Sequence, residues 1–186
     1  MVATAAQEKG RTLGDRAVWT SAVALWLLPL VATQFSPEMD WSVFDFVVWA
    51  LMLGSAAGLY HLATRLSGHR AYRAGAAIAV ATGFLITWSN LAVGIIGNEH
   101  HPLNLMFFAV LGLSLLGALA VRFQPRRMVH VMQATALAQA ATAVVALLVD
   151  GTHIFVITAV LVALWLLSAA LFRKAARADE HAGAVG

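Results

Sequence analysis

Apolar residues along this chain gather into long runs separated by short polar breaks, at roughly 17–35, 41–66, 74–97, 103–121, 128–149 and 153–172. A helix rises about 1.5 Å per residue, so about 20 residues cross a hydrocarbon core. Each run is that long and predicts one membrane-spanning helix. The expected fold is all-α: a polytopic membrane protein with a bundle of six transmembrane helices. They form a single integral membrane domain over 1–186, and 173–186 is expected to be a short disordered cytoplasmic tail.

The breaks alternate in charge. Lys9, Arg11 and Arg16 precede the first run, and the next break carries Glu38 and Asp40 with no cation. Arg65, Arg70 and Arg73 come next, then Asn98-Glu99-His100-His101 without a cation. Arg122, Arg126 and Arg127 follow, then Asp150-Gly151-Thr152-His153, and finally Arg173, Lys174 and Arg177. Lys and Arg in short loops mark the cytoplasmic side. The expected topology therefore has both termini and every basic break in the cytoplasm. The first run also has a charged start and an apolar stretch like a signal peptide. Its length and the lack of an Ala-x-Ala site favour a retained span.

Composition agrees. The 186 residues are 61% hydrophobic and 11% charged, with a mean hydropathy of +0.80, unlike a soluble domain. Six spans leave no room for a soluble catalytic module. The pI of about 10.0 points to lipid headgroups and topology rather than nucleic acid, because the cations are spread over four short segments. Without cysteine, disulfides, iron–sulfur clusters and thiol catalysis are excluded.

Helices in lipid pack through small and polar residues. On the third run Ala76, Ala79, Gly83, Thr87, Asn90, Gly94 and Gly97 recur three and four apart, predicting an interior seam opposite Ile78, Phe84, Leu85 and Ile96. The second run has Gly54-x-x-x-Gly58, and the fifth carries Thr135, Gln139, Thr142, Ala146 and Asp150. Homo-oligomer or larger-complex contacts are expected through Gly54, Gly58 and the Gly83/Gly94 seam.

The acidic breaks hold the candidate chemistry. Ser42-x-x-Asp45 resembles a capping box. Asp150-Gly151 fits a helix stop, Thr152 a cap of the sixth helix, and Pro102 and Asn104 a helix start. Glu99, His100 and His101, with His153 or Asp150, offer ligands for Zn or Cu, although adjacent histidines make poor geometry on a regular element. His61 and His130 match in depth and could ligate a haem b iron, although no Cys-x-x-Cys-His is present. No resident cofactor is predicted, and Zn or Cu and haem b stand only as alternatives. Trp88 lies two residues from Asn90. No span carries Lys, and no phosphate-cradling glycine loop or nucleophile elbow appears.

The stretch Trp88-Ser-Asn90-Leu-Ala-Val-Gly94-Ile-Ile-Gly97-Asn-Glu99-His-His-Pro102-Leu-Asn104-Leu-Met106 resembles the signature of a family of small bacterial inner-membrane proteins, W-x-N-L-A-V-G-I-I-G-x-E-x-x-P-x-N-L-M. Asp45-Phe46 with Trp49, and Gly58-Leu-Tyr60, are similar to that family too. The resemblance covers the first five spans and implies a bacterial inner-membrane location, but no activity. In that family acidic residues or Asn often occupy the places of His100 and His101, and Glu that of His61. These departures weigh against metal and haem. They leave Asp45, Asn90, Glu99 and Asn104 as the shared polar set.

The leading expectation is a non-enzymatic protein with an outward-facing polar pocket for transport or sensing of a proton, cation or small polar molecule. Asp45 and Glu99 would supply charge, Asn90 and Asn104 orient the ligand, and Trp88 wall the pocket. The alternative is a structural or accessory subunit of a larger membrane complex. A metal- or haem-binding redox protein comes third.

Overall fold

The computed structural model describes the backbone over residues 2–35 and 41–184 and the side chains over 16–35 and 41–181. The break with Glu38 and Asp40 lies outside the described residues. All secondary structure among the described residues is helical: α1 (Val2–Phe35), α2 (Val43–Leu66), α3 (Arg70–Ala92), α4 (Leu105–Ala120), α5 (Pro125–Asp150) and α6 (Phe155–Ala184), with one 3₁₀ turn at Pro102–Asn104. Six of the helices are long and apolar enough to cross a membrane, as the hydropathy pattern predicts.

The helix ends depart from the apolar runs. His69 caps α3, its Nδ1 accepting from the Ala71 amide at 3.2 Å, so Arg70 and Arg73 sit in the first turn rather than in a break. Pro125 starts α5 at a position needing no amide donor. Gly151 ends α5 in the left-handed region at φ 68, as the Asp150-Gly151 pair predicts. Thr152 does not cap α6; its hydroxyl donates to the Asp150 carboxylate, and α6 starts at Phe155. The expected disordered tail is instead helix up to Ala184. Alanine is the best helix former, Ala175 and Ala176 are buried, and Arg126 pairs with Glu180 at 3.0 Å.

The chain forms two compact units, 1–62 and 63–186. In the first, α1 and α2 are tied by two indoles. Trp26 Nε1 donates to the Phe46 carbonyl at 3.2 Å and Trp49 Nε1 to the Leu25 carbonyl at 3.1 Å. The sums of the paired positions stay nearly constant, so the two helices run antiparallel.

In the second unit α6 is the hub, packing on α3 and on α5, while α4 packs on α5 and more lightly on α3. Ser168 Oγ donates to the Gly75 carbonyl at 2.9 Å, and Tyr72 meets Phe172 edge-on at 5.1 Å. These pairs give α3 and α6 an antiparallel register. Two glycines permit the close approaches. A Cβ on Gly117 of α4 would come within 2.8 Å of Val131 on α5, and one on Gly75 within 3.2 Å of the Ser168 carbonyl oxygen. A Cβ on Gly54 or Gly58, by contrast, would meet no described atom of another element within 4 Å. The core around these contacts holds Tyr72, Ile86, Phe107, Met132, Trp165 and Phe172. Much of the remaining surface is Leu, Val and Phe, which suits hydrocarbon rather than water.

Candidate functional site

The signature stretch builds a turn between α3 and α4. The helix stops at Ala92, not at Gly97, because Gly94 (φ 75) and Gly97 (φ 63) take left-handed conformations. The Val93 and Gly94 amides both donate to the Ser89 carbonyl, at 3.2 and 2.9 Å. A Cβ on Gly94 would sit inside the Asn98 backbone, so only glycine fits. Gly94 and Gly97 therefore belong to this turn and not to the predicted helical seam. Ile96, expected on the outward side, is fully buried because the turn folds it back under itself.

Asn104 holds that fold-back. Its Oδ1 accepts from the Ile96 amide at 2.9 Å, and its Nδ2 donates to the Ile96 carbonyl at 3.1 Å and the Asn98 carbonyl at 2.7 Å. The side chain is buried and engaged at both ends. It positions the backbone of the turn.

The predicted charged groups lie elsewhere. Asp45 belongs to the first unit, where it is exposed and closes the expected capping box. The Ser42 amide donates to its Oδ2 at 2.8 Å, and the Asp45 amide to Ser42 Oγ at 3.3 Å. Glu99 is exposed, 3.2 Å from His100 Nδ1. His101 Nε2 is 3.6 Å from Asp150 Oδ1, while its Nδ1 accepts from the Leu103 amide at 3.4 Å. His153 is exposed and tilts against Phe155. The metal candidates thus fall into separate pairs, and no group of three or more His, Asp or Glu forms among the described residues. His61 lies in the first unit, edge-on to Trp19 at 6.5 Å. His130 lies in the second, on the exposed side of α5.

Asn90 is different. Ending α3 at Ala92 puts it in the last turn, about 3 Å from the helix end instead of the predicted 10 Å. It is 2% exposed. Its Nδ2 donates to the Ile86 carbonyl at 2.8 Å, but its Oδ1 has no partner. Trp88, two residues earlier, is half-buried.

The predicted polar stripe on α5 is inside as well. Thr135, Gln139, Thr142 and Ala146 are all buried, while Asp150 is exposed. Thr135 donates to the Val131 carbonyl and Thr142 to the Gln139 carbonyl. Gln139 donates through Nε2 to Thr142 Oγ1 at 3.3 Å, leaving its buried Oε1 unpartnered. On α6 the Thr158 hydroxyl and Trp165 Nε1 are buried and likewise unpartnered. Gln139 lies about 16 Å below the end of α5, and Trp165 about 15 Å into α6. A free acceptor and a free donor therefore share one depth of the α5–α6 hairpin. Asn90 and Thr158 lie within about 5 Å of their helix ends.

This interior is neutral. Among the described residues of the second unit the buried side chains with polar atoms are Thr, Ser, Asn, Gln, Tyr and Trp, and no Asp, Glu, His, Lys or Arg is buried. These side chains can donate and accept hydrogen bonds but carry no fixed charge. Thr158 and Trp165 escape the sequence because α6 shows no polar stripe; a lone Thr and Trp in an apolar run look like packing and anchoring. Comparison with family models, with curated proteins and with solved structures gives no match.

Proposed function

We propose that this chain is an integral membrane protein of the bacterial inner membrane, with its basic breaks in the cytoplasm. Its α3–α6 unit binds a small neutral polar solute for transport or sensing. One observation carries the reading: Asn90 Oδ1, Gln139 Oε1, the Thr158 hydroxyl and Trp165 Nε1 are buried and unmatched in a single helical unit. An unsatisfied buried group costs about 1–3 kcal/mol, and four of them equal a large share of a typical folding free energy of about 5–15 kcal/mol. A guest that both donates and accepts, such as a hydroxyl or amide, satisfies the Gln139–Trp165 depth, and a second donor satisfies Asn90. The neutral lining favours such a solute over a proton or cation.

The test uses a substitution whose two effects have opposite sign. In proteoliposomes, uptake of glycerol or urea after an osmotic step should exceed that of empty vesicles. Gln139→Leu should abolish the excess while raising unfolding free energy by about 1 kcal/mol, because it removes a stranded acceptor. Unchanged flux together with lowered stability would end this reading. A second reading, an accessory subunit of a larger complex, is favoured by the Gly54 and Gly58 pair on α2, where an added Cβ would meet nothing within 4 Å. It requires a co-purifying partner that Gly58→Leu releases.

A further inference from the structure

Away from the polar interior, α4 and α5 separate on their exposed side into a groove of about 370 Å³, walled by Leu113, Gly117, Val121 and Ala134, with Arg127 and His130 also on its lining. We propose that this groove binds one anionic phospholipid, an acyl chain lying along the apolar wall and the phosphate at Arg127 and His130.

The groove wall is almost wholly apolar, and the Arg127 and His130 side chains border it from α5. Arg127 lies in the first turns of α5, and Ala134 is about 10 Å further along the helix. Arg127, the groove's charged residue, is at the end beside the α4–α5 connection; His130 follows one turn on, and the other lining side chains are aliphatic. That is the polarity of a lipid with its headgroup at the membrane surface and its chain in the hydrocarbon. A partner helix would not need cations at one end only. Arg126, the neighbouring cation, is engaged by Glu180 at 3.0 Å, while Arg127 is exposed and lines the groove. A guanidinium fits phosphate oxygens in a two-pronged geometry.

The groove is also built from fixed parts. Its floor is the contact between Gly117 and Val131, too tight for a Cβ. At the headgroup end, Arg122 and Phe123 hold left-handed conformations at φ 50 and 56. Tyr72 Oη from α3 fixes this bend by donating to the Phe123 carbonyl at 2.9 Å. The proposal rests on the helices being in a bilayer, and not on the interior binding a solute.

The experiment is native mass spectrometry of the full chain released from micelles doped with phosphatidylglycerol or phosphatidylcholine. Wild type should retain one phosphatidylglycerol in preference to phosphatidylcholine. Arg127→Gln should weaken that retention about fivefold, since one cation at an anionic membrane surface contributes about that factor. Ala134→Trp, which fills the exposed wall, should weaken retention of both lipids. Arg70→Gln, removing a cation at the start of α3, should change nothing. Equal retention of both lipids by wild type overturns the proposal. So does an equal loss in Arg70→Gln, which means diffuse charge, or a changed oligomer mass in Ala134→Trp with lipid retention intact, which means a second copy in the groove. Circular dichroism confirms folding, and Arg127→Gln alters only an exposed side chain should Ala134→Trp misfold.

Discussion

Replacing Asn104 with alanine tests whether the turn after α3 is held by one side chain. The truncation removes three hydrogen bonds, from the Ile96 amide and to the Ile96 and Asn98 carbonyls. The groups left behind differ. Asn98 is exposed, so its carbonyl regains water at little cost. Ile96 is fully buried, so its amide and carbonyl are stranded together. At about 1–3 kcal/mol for each stranded group, the expected loss is about 3 kcal/mol, allowing for some water entering the loosened turn. Reversible unfolding in mixed micelles, followed by tryptophan fluorescence, reads the total. Hydrogen exchange at the Ile96 amide reads the place, and its protection should collapse in the variant. A loss below about 0.5 kcal/mol with Ile96 still protected would refute the assignment, since surface substitutions away from special features fall in that range.

Other outcomes follow from the same geometry. Gly94→Ala should cost about 3 kcal/mol by the same unfolding assay, because it combines a left-handed backbone with a collision against the Asn98 backbone. Gly151→Ala has the same backbone problem at φ 68 but open space around it, and should cost only about 1 kcal/mol; equal losses would contradict the collision. Arg122→Gly should raise stability by about 0.5 kcal/mol, since relief of a strained φ outweighs the added chain entropy. Reporter fusions should place the Glu99 turn outside and the Arg126 turn inside, and the opposite result would reverse the topology.

Hydropathy made the helices legible and misplaced their ends, for one reason. It records whether a segment is apolar, not whether it is helical. Val93, Ile95 and Ile96 extend the third run although Gly94 has already ended the helix, and Ile96 owes its burial to the turn. The tail failed in the opposite direction. Its charges read as solvent-loving, yet Ala175 and Ala176 form a buried face and Glu180 meets Arg126. The capping box at Ser42 and Asp45 and the stop at Gly151 were readable because their partners lie within a few residues. Close helix approaches were not. Gly54-x-x-x-Gly58 has the familiar spacing but room for a Cβ at both positions, whereas Gly75 and Gly117 carry the contacts. A glycine matters there because of the residue facing it on another helix, which the local sequence does not contain. The backbone partners of Asn104 are equally invisible in the sequence, where it is only a polar residue beside a polar cluster.

Asn90 and Asn104 make the final contrast, since they are the same side chain, nearly equally buried, with opposite bonding. Asn104 is satisfied at oxygen and nitrogen; Asn90 is satisfied only at nitrogen, through a bond to the Ile86 carbonyl within its own helix. Substituting leucine at each should therefore give opposite signs. At Asn104 it strands the Ile96 backbone and destabilises by about 3 kcal/mol. At Asn90 it gives up one local hydrogen bond, about 1 kcal/mol, and removes a stranded acceptor that costs about 1–3 kcal/mol, so stability should hold or rise by about 1 kcal/mol. A fold has no structural reason to keep an amide in a place where leucine serves it better. If Asn90→Leu instead costs as much as Asn104→Leu, Asn90 is a packing clamp, and the solute reading loses its outermost contact.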